Sequence, residues 1–257
     1  MFKRFLIAAA LISASVSAPL SGASAEEVFQ ISTHSNLAIG AFDGAMSIKE
    51  LLTHGNFGLG TFDKLDGEMM VLDGQVYRAG IDGHVNQVAP RVTTPFAVVV
   101  PFKAQTKMLV PEGLSQDTVL ARMDNLPLNP ARIYAVRIDG NFQSLKVRSE
   151  PAQSKPFRPI ADVLREQQVV HTYENITGTL VGFRFPKASA SVNNPGWHFH
   201  FVSADRKLGG HVLGFVSGHS MASIQENTDL KVRFPDLPNA QVSQEWPGAA
   251  PIQVAQR

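Results

Sequence analysis

Three histidines within a short stretch carry the plainest chemistry in this chain. His198 and His200 sit two apart in Trp197-His198-Phe199-His200-Phe201-Val202, a run of aromatic and β-branched residues. Such a run favours a strand, and a strand turns residues i and i+2 to one face. The chain then passes through Ala204-Asp205-Arg206-Lys207 and returns as Gly210-His211-Val212-Leu213. With Asp205-Arg206 at a hairpin tip, His211 falls opposite His200, where facing Cβ atoms lie about 5 Å apart. Three neutral imidazoles with a fourth position open form the donor set of a catalytic Zn²⁺. The plainer alternative is a hairpin that happens to carry three ring residues. A lone histidine would favour that alternative, whereas three converging on one face favour the metal.

Two further residues could handle charge beside such a metal. In Gly60-Thr61-Phe62-Asp63-Lys64-Leu65-Asp66-Gly67-Glu68 a carboxylate follows a Gly turn at the start of a strand. Glu68 there can exchange a proton or hold a water, although the spacing equally suits a solvated turn carboxylate. Arg148 ends an alternating strand, where its planar fork can clamp a carboxylate through two hydrogen bonds. Spacing alone reads it as one surface arginine among many. His34, His54, His84, His171 and His219 have no partner spacing and read as structural or surface residues, with His171 nearest to an exception. No Gly-rich phosphate loop, GxSxG elbow or HExxH helix is present. A His-x-His pair also occurs in cupin metal sites, but these want a carboxylate a few residues later. The first acid after His200 is Asp205, at the turn.

The elements that must position these groups begin after residue 25. Lys3 and Arg4 precede an apolar stretch from Phe5 to Ile12, and Ala23-Ser24-Ala25 forms an A-x-A cleavage site. The segment 1–25 reads as a secretory signal, too short in its apolar core to span a bilayer, so the expected location is periplasmic or extracellular. No later segment is long and apolar enough to span. With no cysteine, disulfides, thiolate ligands and a cysteine nucleophile are all excluded. A formal net charge of +1 gives no field that would mark nucleic acid or anionic lipid as a partner.

Beyond the signal the pattern is mainly that of strands. Val28–Thr33, Asn56–Phe62, Glu68–Leu72 and Gln75–Ala79 read as strands, with Asp73-Gly74 a hairpin turn between the last two. Ser47-Ile48-Lys49-Glu50 is a capping box for a short helix, and Ser115 to Asn125 reads as another. Phe96–Phe102 is a continuous apolar run suited to a strand buried on both faces. Ile133–Ile138 and Phe142–Arg148 alternate as two strands joined by a turn at Asp139-Gly140. Pro151, Pro156 and Pro159 mark a boundary or crossover, Ile160–Val169 a short helix, and the remainder mainly antiparallel strands. The expectation is an α/β chain of strand-dominated mixed sheets with a few short helices, divided into an N-terminal sheet domain at 26–155 and a C-terminal domain at 156–257 carrying the hairpin.

These residues together resemble the α-acetolactate decarboxylase family over nearly the whole mature chain. The resemblance runs from Thr61-Phe62-Asp63-Lys64-Leu65-Asp66-Gly67-Glu68 and Leu72-Asp73-Gly74 through Thr94-Pro95-Phe96 to Gly178-Thr179-Leu180-Val181-Gly182-Phe183-Arg184-Phe185-Pro186. It continues in Asn194-Pro195-Gly196-Trp197-His198-Phe199-His200-Phe201 and Gly209-Gly210-His211-Val212-Leu213. The resemblance implies zinc ligands at His198, His200 and His211, and active-site roles for Glu68 and Arg148. It implies a two-domain α/β fold with the metal in the cleft, a homodimer, and decarboxylation of (S)-2-acetolactate to (R)-acetoin and CO₂. One feature departs from the family pattern, which has a further glutamate near its C-terminus. Here Pro251–Arg257 contains no acid, and the last carboxylate, Glu245, lies in Gln244-Glu245-Trp246-Pro247, which does not clearly match. That gap leaves open an exported metal-binding module without catalysis, and a metal-dependent hydrolase is a third reading.

Overall fold

The computed structural model describes residues 27–236, so the expected signal segment and the tail that contains Glu245 lie outside the described residues. In chain order the strands are β1 (Glu27–Ile31), β2 (Met46–Ser47), β3 (Phe57–Thr61), β4 (Glu68–Leu72), β5 (Gln75–Ala79), β6 (Val85–Gln87) and β7 (Thr93–Thr94). They continue with β8 (Ala97–Val100), β9 (Thr106–Val110), β10 (Ile133–Ser149), β11 (Val169–Phe185), β12 (Gly196–Ser203), β13 (Gly209–Asn227) and β14 (Asp229–Arg233). Helices α1 (His34–Ala38), α2 (Ile48–Leu51), α3 (Gln116–Asp124) and α4 (Ile160–Gln167) are all short. No helix among the described residues is long and apolar enough to cross a membrane.

The local signals act as the residue types require. Asp73 (φ 53°) and Gly74 (φ 76°) both take positive φ between the paired Leu72 and Gln75, the conformation of a tight hairpin. Ser47 and Ser115 cap α2 and α3, their hydroxyls accepting from the backbone N–H of Glu50 and Thr118 at 3.2 and 3.3 Å. Among the described residues a first sheet has the order β14-β1-β8-β3-β4-β5-β6 and a second the order β10-β11-β12-β13-β9, while β2 and β7 pair as a small third. β13 also pairs with β10 along its length, so those long strands close on themselves.

Alternation along the strands sets which side chains meet. Phe57, Leu59, Met70, Leu72, Val98 and Val100 of the first sheet pack with Ala135, Val181, Phe183, Phe185 and Val202 of the second. The alternate residues Met69, Val71, Ala97 and Val99 pack on the opposite face against Met46, Ile48 and Leu51. Apolar layers on both sides explain why β8 reads as an unbroken apolar run. Inside the second sheet, Tyr134, Phe142, Leu145, Val147, Phe199, Phe201 and Phe215 form a separate core capped by Val119 and Met123 of α3.

Two expectations are corrected. Asp139-Gly140 is not a turn, because β10 runs through it from Ile133 to Ser149. A Cβ on Gly140 would lie 2.5 Å from the backbone of Ser220, so the glycine serves a close strand approach instead. Register against β13 slips between Gly140 and Phe142 and again between Phe142 and Ser144. The division at residue 155 also does not follow the sheets. β9 and β10 join the sheet that holds the histidine hairpin, while β14 pairs in parallel with β1 of the other.

Candidate metal centre

His200 pairs with His211 across the hairpin formed by β12 and β13, the register read from the sequence. The tip keeps that register because Arg206 takes φ 60° and the Ser203 hydroxyl accepts from the N–H groups of Lys207 and Leu208 at 3.1 and 3.0 Å. On β11, Val181 and Phe183 lie opposite His200 and His198, and both belong to the layer facing the first sheet. The imidazoles therefore face the same way. His198 Nε2 lies 3.1 Å from both His200 Nε2 and His211 Nδ1, and the last two are 3.3 Å apart.

The first sheet completes the site through β4. Glu68 shares a face with Met70 and Leu72 by the two-residue period, so it points at the hairpin. Gly67 (φ 79°) makes the approach possible, since a Cβ there would lie 2.4 Å from the Ala79 carbonyl oxygen. The Thr61 hydroxyl holds the turn by donating to the Gly67 carbonyl at 2.8 Å, and Asp66 pairs with Arg78. The next residue, Met69, supplies its carbonyl to His200 Nδ1 at 2.7 Å. A carbonyl only accepts, so Nδ1 carries the proton and His200 Nε2 presents a bare lone pair.

Arg148 reaches the site because of the irregularity in β10. Before it, Tyr134, Val136, Ile138 and Phe142 point into the inner core, whereas after it Leu145 and Val147 do. The change of parity turns Arg148 outward, toward the first sheet. Its Nη1 donates to Glu68 Oε1 at 3.2 Å and to Glu150 Oε2 at 3.0 Å. The Ser149 hydroxyl donates to the Ala79 carbonyl at 2.9 Å, and Ala79 is the ladder partner of Glu68. The two sheets are thus tied at the site. All five residues singled out in the sequence come together here. Glu150, 2 % exposed, was missed. Its two-residue spacing from Arg148 was the available signal.

The remaining histidines have other partners. His54 stacks on Phe29 with centroids 3.7 Å apart, and His171 Nε2 bonds the Ile81 carbonyl at 2.9 Å. His84 pairs with Asp82 and His219 with Glu112. His34 lies near enough for its charge to help keep His198 neutral.

Burial dominates the electrostatics. It holds His198 and His211 well below the ordinary histidine range, aided by the other imidazoles and the Arg148 charge, and it lowers His200 to about 3. Glu68 is shifted upward by burial against the pull of Arg148, and Glu150 further up by burial and the nearby Glu68. The imidazoles are in the ligand form at neutral pH. Unfolding exposes them to an ordinary value of 6.5, so the unfolded chain binds more protons between that value and about 3. Stability of the chelated protein should therefore fall as pH drops below about 6.5. Glu68 and Glu150 act with the opposite sign below neutrality, but three imidazoles outnumber two carboxyls. Thermal melts from pH 7 to 5 in EDTA check this. His198→Gln should flatten the slope, and an unchanged slope would refute the assignment.

The donor set fits a metal. A tetrahedral ion with bonds of about 2.0–2.1 Å separates its nitrogen ligands by about 3.3–3.4 Å, close to the spacings here. His200 Nε2 also lies 3.2 Å from Glu68 Oε2. A bare imidazole nitrogen and a carboxylate oxygen at that distance repel unless a cation or proton lies between them. His198, His200 and His211 offer one nitrogen each, and these lie within 4.8 Å of one another.

Comparison with known proteins identifies the family. A family model described as alpha-acetolactate decarboxylase matches residues 28–243. The chain is 38% identical over 229 residues to the alpha-acetolactate decarboxylase of Methanosarcina mazei, covering 88% of this chain and 79% of the relative. It is 36% identical to that of Klebsiella aerogenes, covering 81% and 80%. The crystal structure of the Bacillus subtilis strain 168 alpha-acetolactate decarboxylase superposes with a TM-score of 0.79 at 30% identity, covering 82% of this chain and 90% of that one. A match across nearly every described residue, in sequence and in fold, places this chain in the alpha-acetolactate decarboxylase family.

Proposed function

We propose that this chain decarboxylates (S)-2-acetolactate to (R)-acetoin and CO₂, with Zn²⁺ held by His198, His200 and His211. The observation that carries the reading is the convergence of three imidazole nitrogens with Glu68 and Arg148 in a member of this family. A bound Zn²⁺ would supply Lewis-acid polarisation of the substrate's ketone and hydroxyl oxygens. Arg148 binds the substrate carboxylate through N–H groups other than the Nη1 already held by Glu68 and Glu150. Cleavage of the bond to CO₂ leaves an electron pair that the neighbouring ketone takes up as an enediolate. Glu68, or a water it positions, delivers a proton to the former α-carbon and sets its hand. Burial raises the affinity of Glu68 for protons, which suits it to this step. Holding the carboxylate too firmly would favour the ground state, so the contact of Arg148 with the developing enediolate matters more.

The segment 1–25 makes the working compartment periplasmic or extracellular, and family membership supports a homodimer with the site in a cleft between domains. Glu245 lies outside the described residues and is assigned no role. Purified protein mixed with racemic 2-acetolactate and Zn²⁺ should consume one enantiomer and release acetoin of a single hand, read by chiral chromatography. No acetoin from folded, zinc-loaded protein would defeat the proposal and favour a binding module; ester turnover in its place would favour a hydrolase. Arg148→Lys should keep its zinc yet lose about 10²-fold in kcat/KM, because a point charge replaces the planar fork. Parental turnover by that variant would mean Arg148 acts only as a charge or not at all.

A further inference from the structure

Arg148 is held by two buried carboxyl groups, and the reaction just proposed uses only one of them. Glu150 lies on the same side of the strand end as Arg148, and its Oε2 accepts from Nη1 at 3.0 Å. Side-chain exposures are 13% for Arg148, 7% for Glu68 and 2% for Glu150. In so dry a place one guanidinium nitrogen is the group that both carboxyls face.

The backbone fixes Glu150 from both sides. Ser149 is tied to Ala79, and two residues past Pro151 the Gln153 N–H donates to the Lys64 carbonyl at 2.7 Å. We propose that Glu150 is a positioning residue, whose carboxyl accepts from Arg148 Nη1 and sets the distance between the guanidinium fork and the Glu68 oxygens. A free arginine side chain has rotamer entropy to lose, and a fork anchored through Nη1 has lost much of it before substrate arrives. The inference rests on Arg148 as the carboxylate-binding group.

Zinc-loaded Glu150→Ala, Glu150→Gln and Glu150→Asp test it, with Arg148→Lys run in parallel. Zinc content, melting temperature, kcat and KM are measured, together with calorimetric binding of the unreactive 2-hydroxyisobutyrate. Glu150→Ala should keep zinc, bind 2-hydroxyisobutyrate about tenfold more weakly and lose about 10²-fold in kcat/KM through both kcat and KM, the scale of a 1 Å misplacement. Glu150→Gln keeps an acceptor oxygen for Arg148 in the same place and should return to within about fivefold of the parent. If the Ala variant fails to fold, the comparison of Gln with Asp decides. Asp withdraws the carboxyl by one methylene and should be the poorer of the two. A folded Ala variant with parental kcat, KM and analogue binding would overturn the proposal, as would a Gln variant no better than Ala or Asp. If Arg148→Lys is also at the parental level, it is the reading of Arg148 that has failed; if Arg148→Lys is impaired while the Glu150 variants are neutral, only the brace is lost.

Discussion

His200→Ala should lose the metal and acetoin formation together, to below about 1% of the parent in activity. The imidazole is 1% exposed, and its orientation is fixed by donation to the Met69 carbonyl. Removing it takes away one of three donors and leaves that carbonyl without its partner inside the protein. Two imidazoles could not hold zinc against a micromolar chelator. His198→Ala and His211→Ala should behave alike, since each nitrogen lies 3.1–3.3 Å from the other two. Elemental analysis after gel filtration reads the outcome. One zinc per chain in all three single variants would remove these residues as the ligand set. In the parent, EDTA should lower the melting temperature, because an ion bound only by the folded state stabilises it. That shift should vanish in each alanine variant.

The hairpin was legible because everything that places His198, His200 and His211 is local. Strand alternation, a short turn and cross-strand facing are set within a few residues of one another, and the observed His200–His211 pairing follows. The same was true of Glu68, which inherits its direction from Met70 and Leu72. Asp139-Gly140 shows where local reading fails. It is the same dipeptide as Asp73-Gly74, yet one is a strand irregularity and the other a turn. The difference lies in β13, which runs past Gly140 closely enough to exclude a side chain. The next slip, between Phe142 and Ser144, changes the parity and turns Arg148 toward the site, so the direction of Arg148 depended on a register no local pattern encodes. Three prolines after Glu150 mark where the chain leaves a sheet, and such a departure does not by itself divide one core from another. Which sheet β9, β10 and β14 join is settled by pairings distant in sequence. Glu150 was hidden for a related reason. A carboxylate beside Pro151 reads as a solvated turn, and only the packing of the other sheet buries it.

Glu68→Gln should keep zinc and fold and lose about 10²-fold or more in kcat, the scale of removing a general acid–base group. The amide has the shape of the carboxylate and can still accept from Arg148 through its oxygen, but it cannot exchange a proton. Its NH₂ end would also face either the Glu150 side or His200 Nε2, which lies 3.2 Å from Glu68 Oε2 in the parent. Neither placement restores a negative charge beside the histidines. The contrast with Glu150→Gln makes this informative. Two buried carboxyls share one guanidinium, and the same substitution should be severe at Glu68 and mild at Glu150. The pH dependence of kcat separates a lost proton donor from a distorted site. In the parent, a limb reporting the Glu68 titration should appear above the ordinary carboxylate range, because burial raises that group. In Glu68→Gln the limb should disappear while analogue binding stays near the parental value. A variant that keeps both the limb and its turnover would assign the proton to another group.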